Sequence, residues 1–109
     1  MEAAQRILRE YVDALGRNYY QRWFERLARA TQVRIDARLA LVRAGNLGDH
    51  RSVGHGVIEL RLSFGPGYRI YFGIDGTELV ILLAGGDKSS QDKDITLAHK
   101  LWEEHKHGI

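Results

Sequence analysis

The chain contains no cysteine, a single proline and no long apolar run among its 109 residues. Without cysteine, disulfide bonds and thiolate metal sites are excluded, and such a composition suits a reducing compartment. The N-terminal residues MEAAQRILREY do not combine a basic start with an apolar stretch, so we expect no secretory signal. No segment reaches the roughly 18 apolar residues of a membrane-spanning helix. These absences predict a soluble cytoplasmic protein with no membrane partner.

The length and the apolar content predict one folded domain. Hydrophobic residues make up 44% of the 109 residues, enough for a modest core. Disordered chains have a lower apolar content and a higher net charge for their length. We therefore expect a single globular domain over residues 1–109.

Arginine is concentrated in the first half of the chain. The formal net charge is only +2, but residues 6–43 hold nine arginines against four acids. The guanidinium group binds phosphate oxygens through parallel hydrogen bonds, so this excess points to a phosphate-bearing or acidic partner. A solvated helix face without a partner explains the same charges.

Two helices in succession are predicted near the N-terminus. Residues 19–30 carry apolar side chains at helical spacing, and residues 31–43 repeat the pattern. Thr31 is a plausible N-cap for the second helix, and Gly45 stands where a glycine ends a helix. Residues 5–15 are ambiguous, because their apolar residues fit either a helix or a short strand over residues 7–12.

Three strand patterns with glycine-marked turns follow a polar loop over residues 46–56. They cover residues 57–64, 68–74 and 78–84. The third is apolar on both faces, which is typical of a strand buried within a sheet. We therefore predict that this third strand is the central one.

The first two of these strands place their charged residues on one face. A three-residue loop keeps the apolar faces together and pairs Leu62 with Ile70. In this register Arg61 lies directly opposite Tyr71, and Arg69 is a diagonal neighbour. We therefore predict that two arginines and a tyrosine share a face outside the core.

The last helical pattern begins shortly after the third strand. Ser89 and Asp92 have the spacing of a capping box, and acidic residues suit the positive end of the helix dipole. The stripe that docks this helix consists of Ile95, Ala98, Leu101 and Trp102.

Arg61, Arg69, Tyr71 and Lys88 are the candidate catalytic residues. Lys88 follows a double glycine next to a helix N-terminus, where backbone N–H groups and a cation favour a phosphate. Two arginines suit the phosphates of RNA and the charge on a pentavalent transition state. RNA cleavage needs no metal or cofactor, because the 2′-hydroxyl attacks once a base removes its proton. Tyr71 is suited to stack a base.

The same pattern has a plainer explanation in ordinary ion pairs. Arg61 and Arg69 would then pair with Glu59 or Asp87 on the surface of the sheet. Spacing alone favours this explanation over a catalytic site.

Five histidines complete the set of titratable candidates. His50 and His55 stand in the loop before the first strand of the run, where a general base is accessible to a substrate. His99, His105 and His107 lie on or after the last helix, and the ending HKH is typical of a polar tail rather than of a metal site.

Three stretches resemble a known protein family. ELR at 59–61, GPGYRIYF at 65–72 and LLAGGDKSSQDKDI at 82–95 are similar to the RelE/ParE superfamily of toxin–antitoxin killers, in particular to its HigB-like addiction-module killer branch. A looser similarity extends upstream through YYQRWFERL and RLALVRAGNLGD.

The resemblance implies an α+β fold: an N-terminal short strand and a helical hairpin packed on a small, mostly antiparallel sheet, with a C-terminal helix. Members typically cleave mRNA in the ribosomal A site. A small antitoxin, often a helix-turn-helix protein, neutralises them in a hetero-oligomer.

The resemblance also implies roles for particular residues. The family's arginine after the leucine of the first sheet strand falls on Arg61, and its basic residue after the last strand falls on Lys88, with Arg69 between them. RelE has a tyrosine shortly after the basic residue, whereas residues 90–92 here are Ser-Gln-Asp. The acid–base role therefore falls to one of three other residues: Tyr71, Asp87 and His55.

Two further hypotheses keep the fold and change the function. A ParE-like protein would inhibit DNA gyrase without being a nuclease, and a third possibility is a non-toxic binding partner of an antitoxin. Arginines of the first two helices fit ribosomal RNA or an acidic protein equally well. The candidate RNA- and ribosome-binding residues are Arg34, Arg38, Arg22 and Arg26.

Overall fold

A computed structural model describes residues 5–108 and has an α+β fold, with a five-stranded, mostly antiparallel sheet covered by helices on both faces. The strands are β1 (Ile7–Glu10), β2 (His50–Ser52), β3 (Val57–Arg61), β4 (Arg69–Asp75) and β5 (Leu79–Gly86). The helices are α1 (Tyr19–Glu25), α2 (Arg29–Arg43) and α3 (Gln91–His107), and a 3₁₀ turn (Lys88–Ser90) precedes α3. The predicted fold class is confirmed.

The strand order in the sheet is β1-β5-β4-β3-β2. β1 runs parallel to β5, and the other neighbours are antiparallel. The ambiguous N-terminal segment is thus a strand, because its backbone pairs with β5 rather than with itself. β5 is buried on both faces, as its apolar residues predict, but it is not the central strand, because β4 occupies the centre of the order.

The helical hairpin of α1 and α2 bends earlier than predicted. α1 ends at Glu25, and α2 begins at Arg29 after the non-helical Ala28. Thr31 therefore lies inside the first turn of α2, and its predicted role as N-cap is wrong. The Gln32 side chain donates a hydrogen bond to the Phe24 carbonyl at 2.9 Å and so ties the two helices together at the bend.

A hydrophobic core lies on each face of the sheet. The hairpin side buries Ile35, Leu39 and Val42 of α2 against Leu60, Ile70 and Phe72. The α3 side buries Ala98, Leu101 and Trp102 against Val57, Tyr71 and Leu83. The sheet face of Tyr71, which was predicted to lie outside the core, is therefore part of this second core.

The pairing of β3 with β4 differs from the predicted register by two residues. Leu60 lies opposite Ile70, and Arg61 lies opposite Arg69 rather than Tyr71. The connecting loop is longer than three residues, since the Leu62 N–H donates to the Tyr68 carbonyl at 3.0 Å. A shift of two residues preserves the side-chain faces, so the face assignments hold while the opposing partners change.

Two local predictions around the sheet are corrected. The polar loop over residues 46–56 contains β2, a strand that pairs antiparallel with β3. Ser89 and Asp92 do not form the expected box, because the 3₁₀ turn is capped by Asp87, and α3 starts at Gln91. Among residues 5–108, no helix is long and apolar enough to cross a membrane.

Candidate functional site

A cleft of about 490 Å³ opens at the end of the sheet where β3 finishes and β4 begins. Arg61, Arg69 and Lys88 line it together with Asp49 and the glycine loop at residues 65–67. We call this the basic cleft. Three of the four predicted catalytic residues therefore meet at one place, although they belong to β3, β4 and the 3₁₀ turn.

Lys88 reaches the basic cleft by crossing the glycine loop. A β-carbon on Gly67 would lie 2.9 Å from the Lys88 Cγ atom, so any side chain at this position requires the lysine to shift. Gly67 also has a φ of +80°, in the left-handed region that favours glycine. Glycine at this position thus allows the lysine to lie across the loop.

A buried carboxylate, that of Glu59, connects the residues behind the cleft. It accepts hydrogen bonds from Arg51 Nε at 2.8 Å, from Gln91 Nε2 at 2.8 Å and from the Tyr71 hydroxyl at 3.1 Å. Its Oε1 atom also lies 3.8 Å from Arg69 Nε and 3.9 Å from Arg61 Nε. Arg61 and Arg69 therefore lie within ion-pair distance of Glu59, one of the two partners that the plainer explanation named, but this carboxylate is buried rather than on the surface of the sheet.

The hydrogen bonds around Glu59 keep it charged. Burial raises the pKa of the Glu59 carboxyl, but the donors Arg51, Gln91 and Tyr71 outweigh burial, and the net pKa is lowered. Three arginines share this one anion, so the surroundings of the cleft retain an excess of positive charge. Such an excess suits a phosphate ligand.

Tyr71 does not lie on an accessible surface. Its side chain is fully buried beneath α3, and its hydroxyl points to Glu59. Burial first, and the Glu59 charge second, raise the pKa of the Tyr71 hydroxyl. The interpretation of Tyr71 as an exposed ring that stacks a base is therefore wrong, because α3 occupies the space over that face.

Arg69 and Arg61 have different environments. Arg69 is 4% exposed, and its Nη1 atom donates to the carbonyl oxygens of Gly67 and Tyr68 at 3.1 Å each. It forms the wall of the cleft and holds the glycine loop. The Arg61 side chain is 41% exposed, so its guanidinium group is accessible to a ligand.

The backbone N–H groups next to Lys88 are partly occupied. Asp87 accepts hydrogen bonds from the Ser89 N–H at 2.8 Å and from the Ser89 hydroxyl at 2.6 Å. The bond from the Ser89 hydroxyl lowers the pKa of Asp87. Because an anion already caps this turn, Lys88 rather than the backbone is the donor available to a phosphate.

His55 is not part of the basic cleft. It precedes Val57 in the turn between β2 and β3, at the opposite end of β3 from Arg61. Its ring lies 4.5 Å from the ring of His99, centroid to centroid, and its φ is +56°. His50 lies on β2, where its Nδ1 atom is 2.7 Å from the Gly48 carbonyl oxygen.

A second cleft of about 420 Å³ adjoins the basic cleft and shares Arg61 and Asp49 with it. The Arg34 guanidinium carbon lies 3.7 Å from the centre of the Phe64 ring, which places the cation over the aromatic face. Arg38 donates to the Asp49 carbonyl at 3.2 Å, and burial lowers its pKa. We call this the side cleft.

The predicted binding arginines thus divide into two groups. Arg34 and Arg38 line the side cleft, whereas Arg22 on α1 and Arg26 just after it are exposed and line neither cleft. Among residues 5–108, no group of three histidine, aspartate or glutamate residues is arranged to hold a metal ion.

The hydrogen-bonding role of Arg51, Gln91 and Asp49 was missed from the sequence. Asp49 and Arg51 lie in the segment that was predicted to be a loop. Gln91 begins α3, whose position over the sheet could not be predicted. The one available signal was Glu59, an acid between apolar neighbours in a strand. Such an acid requires buried donors when both faces of the sheet are covered.

Comparisons with known proteins show what the chain is similar to. The family described as phage derived protein Gp49-like (DUF891) matches residues 10–103. An uncharacterized protein of Haemophilus influenzae is 44% identical over 86 residues, which cover 78% of this chain and 87% of the relative. No solved structure matches the chain.

Proposed function

The chain belongs to the phage-derived Gp49-like family, a toxin-like addiction-module family, and we propose that it is the toxin of a type II toxin–antitoxin module. In finer detail, we place it in the HigB-like branch of the RelE/ParE superfamily, as a ribosome-dependent mRNA endonuclease of the cytoplasm with one domain. The observation that carries this proposal is the basic cleft, where Arg61, Arg69 and Lys88 meet around a glycine loop.

The proposed reaction uses the RNA's own 2′-hydroxyl as the nucleophile. Its oxygen attacks the adjacent phosphorus, a base takes the hydroxyl proton, and the bond to the 5′-oxygen breaks as an acid protonates that oxygen. The products are a 2′,3′-cyclic phosphate and a 5′-hydroxyl end. Arg61 and Lys88 bind the non-bridging oxygens and stabilise the charge of the pentavalent transition state.

Glu59 and Arg69 support this chemistry from behind the cleft. The buried Glu59 carboxylate faces Arg61 and Arg69, and Arg69 bonds the carbonyls of the glycine loop. These contacts hold the cations before the substrate binds, which limits reorganisation during the reaction. In this proposal Tyr71 contributes as a positioning residue, through its hydrogen bond to Glu59.

Asp49 is our candidate for the acid–base group, because it is the acidic residue among those that line the basic cleft. Asp87 is the second candidate, since it stands beside Lys88 while capping the 3₁₀ turn. Replacing each residue with asparagine distinguishes the two candidates. Substitution of the catalytic aspartate lowers the cleavage rate without lowering the melting temperature.

The side cleft extends the positive surface away from the basic cleft. We assign Arg34 and Arg38 to ribosomal RNA or the mRNA backbone next to the scissile phosphate, with Arg22 and Arg26 as more distant contacts. The family's toxin-like character implies an antitoxin partner, and ribosome and mRNA are partners under this proposal.

Induction without antitoxin tests the proposed function. We expect new mRNA 5′ ends that map within translated codons, and their loss when translation initiation is blocked. Intact mRNA together with gyrase-linked DNA breaks would instead identify a gyrase inhibitor and overturn the nuclease assignment.

A further inference from the structure

A cavity of about 360 Å³ lies on the hairpin side of the sheet, away from the basic cleft. β1, α1 and α2 enclose it, and Leu8, Tyr20 and Leu39 are among its lining residues. Tyr20 is 3% exposed, and its hydroxyl has no hydrogen-bond partner within residues 5–108. A buried hydroxyl without a partner is costly, which points to a ligand that supplies the missing bond.

The strand beside this cavity has unpaired backbone groups. Across the described residues, β1 pairs with β5 alone. The N–H groups of Ile7 and Tyr11 donate to the Glu78 and Leu82 carbonyls, both at 2.9 Å. Because bonding alternates along a strand, the N–H and C=O groups of the intervening residues point away from β5. Those residues, Leu8 and Glu10, form a template for a further strand.

Exposed apolar side chains accompany this free edge. Ile7 on β1 is 51% exposed, and Val12 and Leu15 in the following loop are 53% and 76% exposed. The loop is held in place, since the Asp13 Oδ1 atom accepts hydrogen bonds from the Leu15 and Arg17 N–H groups, each at 2.9 Å. A fixed loop that presents apolar side chains to solvent is typical of an interaction surface.

We propose that an extended segment of the antitoxin binds along β1 as an additional strand and inserts a hydrogen-bonding side chain into the cavity, against the Tyr20 hydroxyl. This inference rests on the proposed function, because it takes the antitoxin as the partner. Side chains alternate along a strand. Antitoxin residues that lie between the inserted ones therefore point to the other face of the sheet, where Ile7 lies. The segment therefore alternates polar residues toward the cavity with apolar residues toward Ile7.

A second copy of this chain fits the edge less well. Suppose that two copies of β1 pair antiparallel and use all the outward backbone groups of Leu8 and Glu10. Arg9 of one copy then lies directly opposite Arg9 of the other. Like charges that face each other across a strand pair are destabilising. The charges on β1 thus favour a different polypeptide.

Replacing Tyr20 with phenylalanine tests the cavity. The change removes only a hydroxyl that finds no hydrogen-bond partner within the described residues, so the melting temperature of the free toxin stays the same or rises. Affinity for the antitoxin, the protein encoded beside the toxin gene, falls by roughly five- to a hundredfold, because a group on the antitoxin loses its buried partner. Titration calorimetry with the purified full-length proteins measures the affinity.

Replacing Glu10 with proline tests the strand edge. Proline removes an outward N–H group and leaves the bonds to β5 in place, since Glu10 does not donate to β5. Glu10→Ala is the matched control, because alanine keeps the N–H group and loses the same carboxylate. We expect at least a tenfold weaker complex with Glu10→Pro than with Glu10→Ala.

The outcomes separate this inference from the proposed function. If the wild type binds the antitoxin and neither Tyr20→Phe nor Glu10→Pro changes the affinity, the docking site is wrong. The toxin assignment remains intact in that case. A wild-type toxin that does not bind the neighbouring protein at all contradicts the toxin–antitoxin assignment itself. A toxin that dimerises alone, and loses the dimer with Glu10→Pro, assigns the edge to a second copy and overturns the proposal.

Discussion

Arg61 lies directly opposite Arg69 in the β3–β4 ladder, and both guanidinium groups face the same buried carboxylate. Like charges in this position repel, so the pair depends on Glu59 beneath it. One arginine is accessible and the other forms the cleft wall. The two residues therefore have different expected phenotypes: we expect substitution of Arg61 to weaken ligand binding and substitution of Arg69 to displace the glycine loop.

Removing an accessible cation from the basic cleft should abolish growth arrest. Arg61→Ala or Lys88→Ala should each lower the mRNA cleavage rate by about a hundred- to a thousandfold, as expected for loss of a transition-state donor. Primer extension on a translated reporter mRNA measures cleavage. Lys93→Ala is the control, because Lys93 is an exposed lysine on α3 that does not line the basic cleft. An unchanged rate in both cleft variants places the chemistry elsewhere.

Glu59→Gln should destabilise the fold strongly. The substitution keeps the size of the side chain but leaves Arg69, whose side chain is 5% exposed, without its counter-charge. Breaking a buried ion pair by removing one partner costs about 3–5 kcal/mol. Urea unfolding measures the loss, and Glu78→Gln at an exposed position should change stability by less than about 0.5 kcal/mol. Equal stabilities of the two variants would show that Glu59 is not needed to hold the arginines.

The same carboxylate makes stability depend on pH. Its pKa is lowered in the folded protein, so its stabilising contribution is present above the pKa of unfolded glutamate, about 4.3, and is lost as the pH falls through the folded value. Between about pH 6 and pH 3 the wild type should therefore lose more stability than Glu59→Gln. If the free energy of unfolding falls by the same amount in both proteins across this range, Glu59 is not the group that makes stability depend on pH.

Much of the fold follows from periodicity in the sequence, because alternation assigns faces without reference to partners. The faces of Leu60 and Ile70 were predicted correctly, while their pairing depended on a loop length that glycines alone do not determine. The burial of Tyr71 was missed because β4 alternates apolar and polar residues as an open face does. The apolar stripe ending at Trp102 was the available signal, since that stripe requires an apolar surface to cover.

The candidate site follows from the sequence to a smaller extent. Lys88 and Arg61 come together only because β3 and β5 both finish at the same end of the sheet, on either side of β4. This relation is set by the strand order. Residue types and spacing indicated cations near a turn. They did not indicate that Glu59 would be shared among three arginines.

The side cleft should contribute to ribosome binding through charge. Arg34→Ala removes the cation over the Phe64 ring and, with it, the phosphate contact that we propose for this residue. We expect weaker binding at physiological salt and a slope of log affinity against log salt that is shallower by about 0.7–0.9. Arg29→Ala, at the exposed first residue of α2, is the control. A slope that Arg34→Ala leaves unchanged excludes this arginine from the nucleic-acid contact.

Two glycines with the same backbone strain should have different effects on activity. Gly67 and Gly76 have φ values of +80° and +71°, so alanine at either position costs about 1–2 kcal/mol of stability. Only Gly67 lies against another side chain: a β-carbon there would displace Lys88, whereas the space around Gly76 is open within 4 Å. We therefore expect similar melting temperatures for Gly67→Ala and Gly76→Ala but loss of mRNA cleavage in Gly67→Ala alone. Because the strain is matched, a difference in cleavage reports on the position of Lys88, and equal activity of the two variants shows that Lys88 need not lie across the loop.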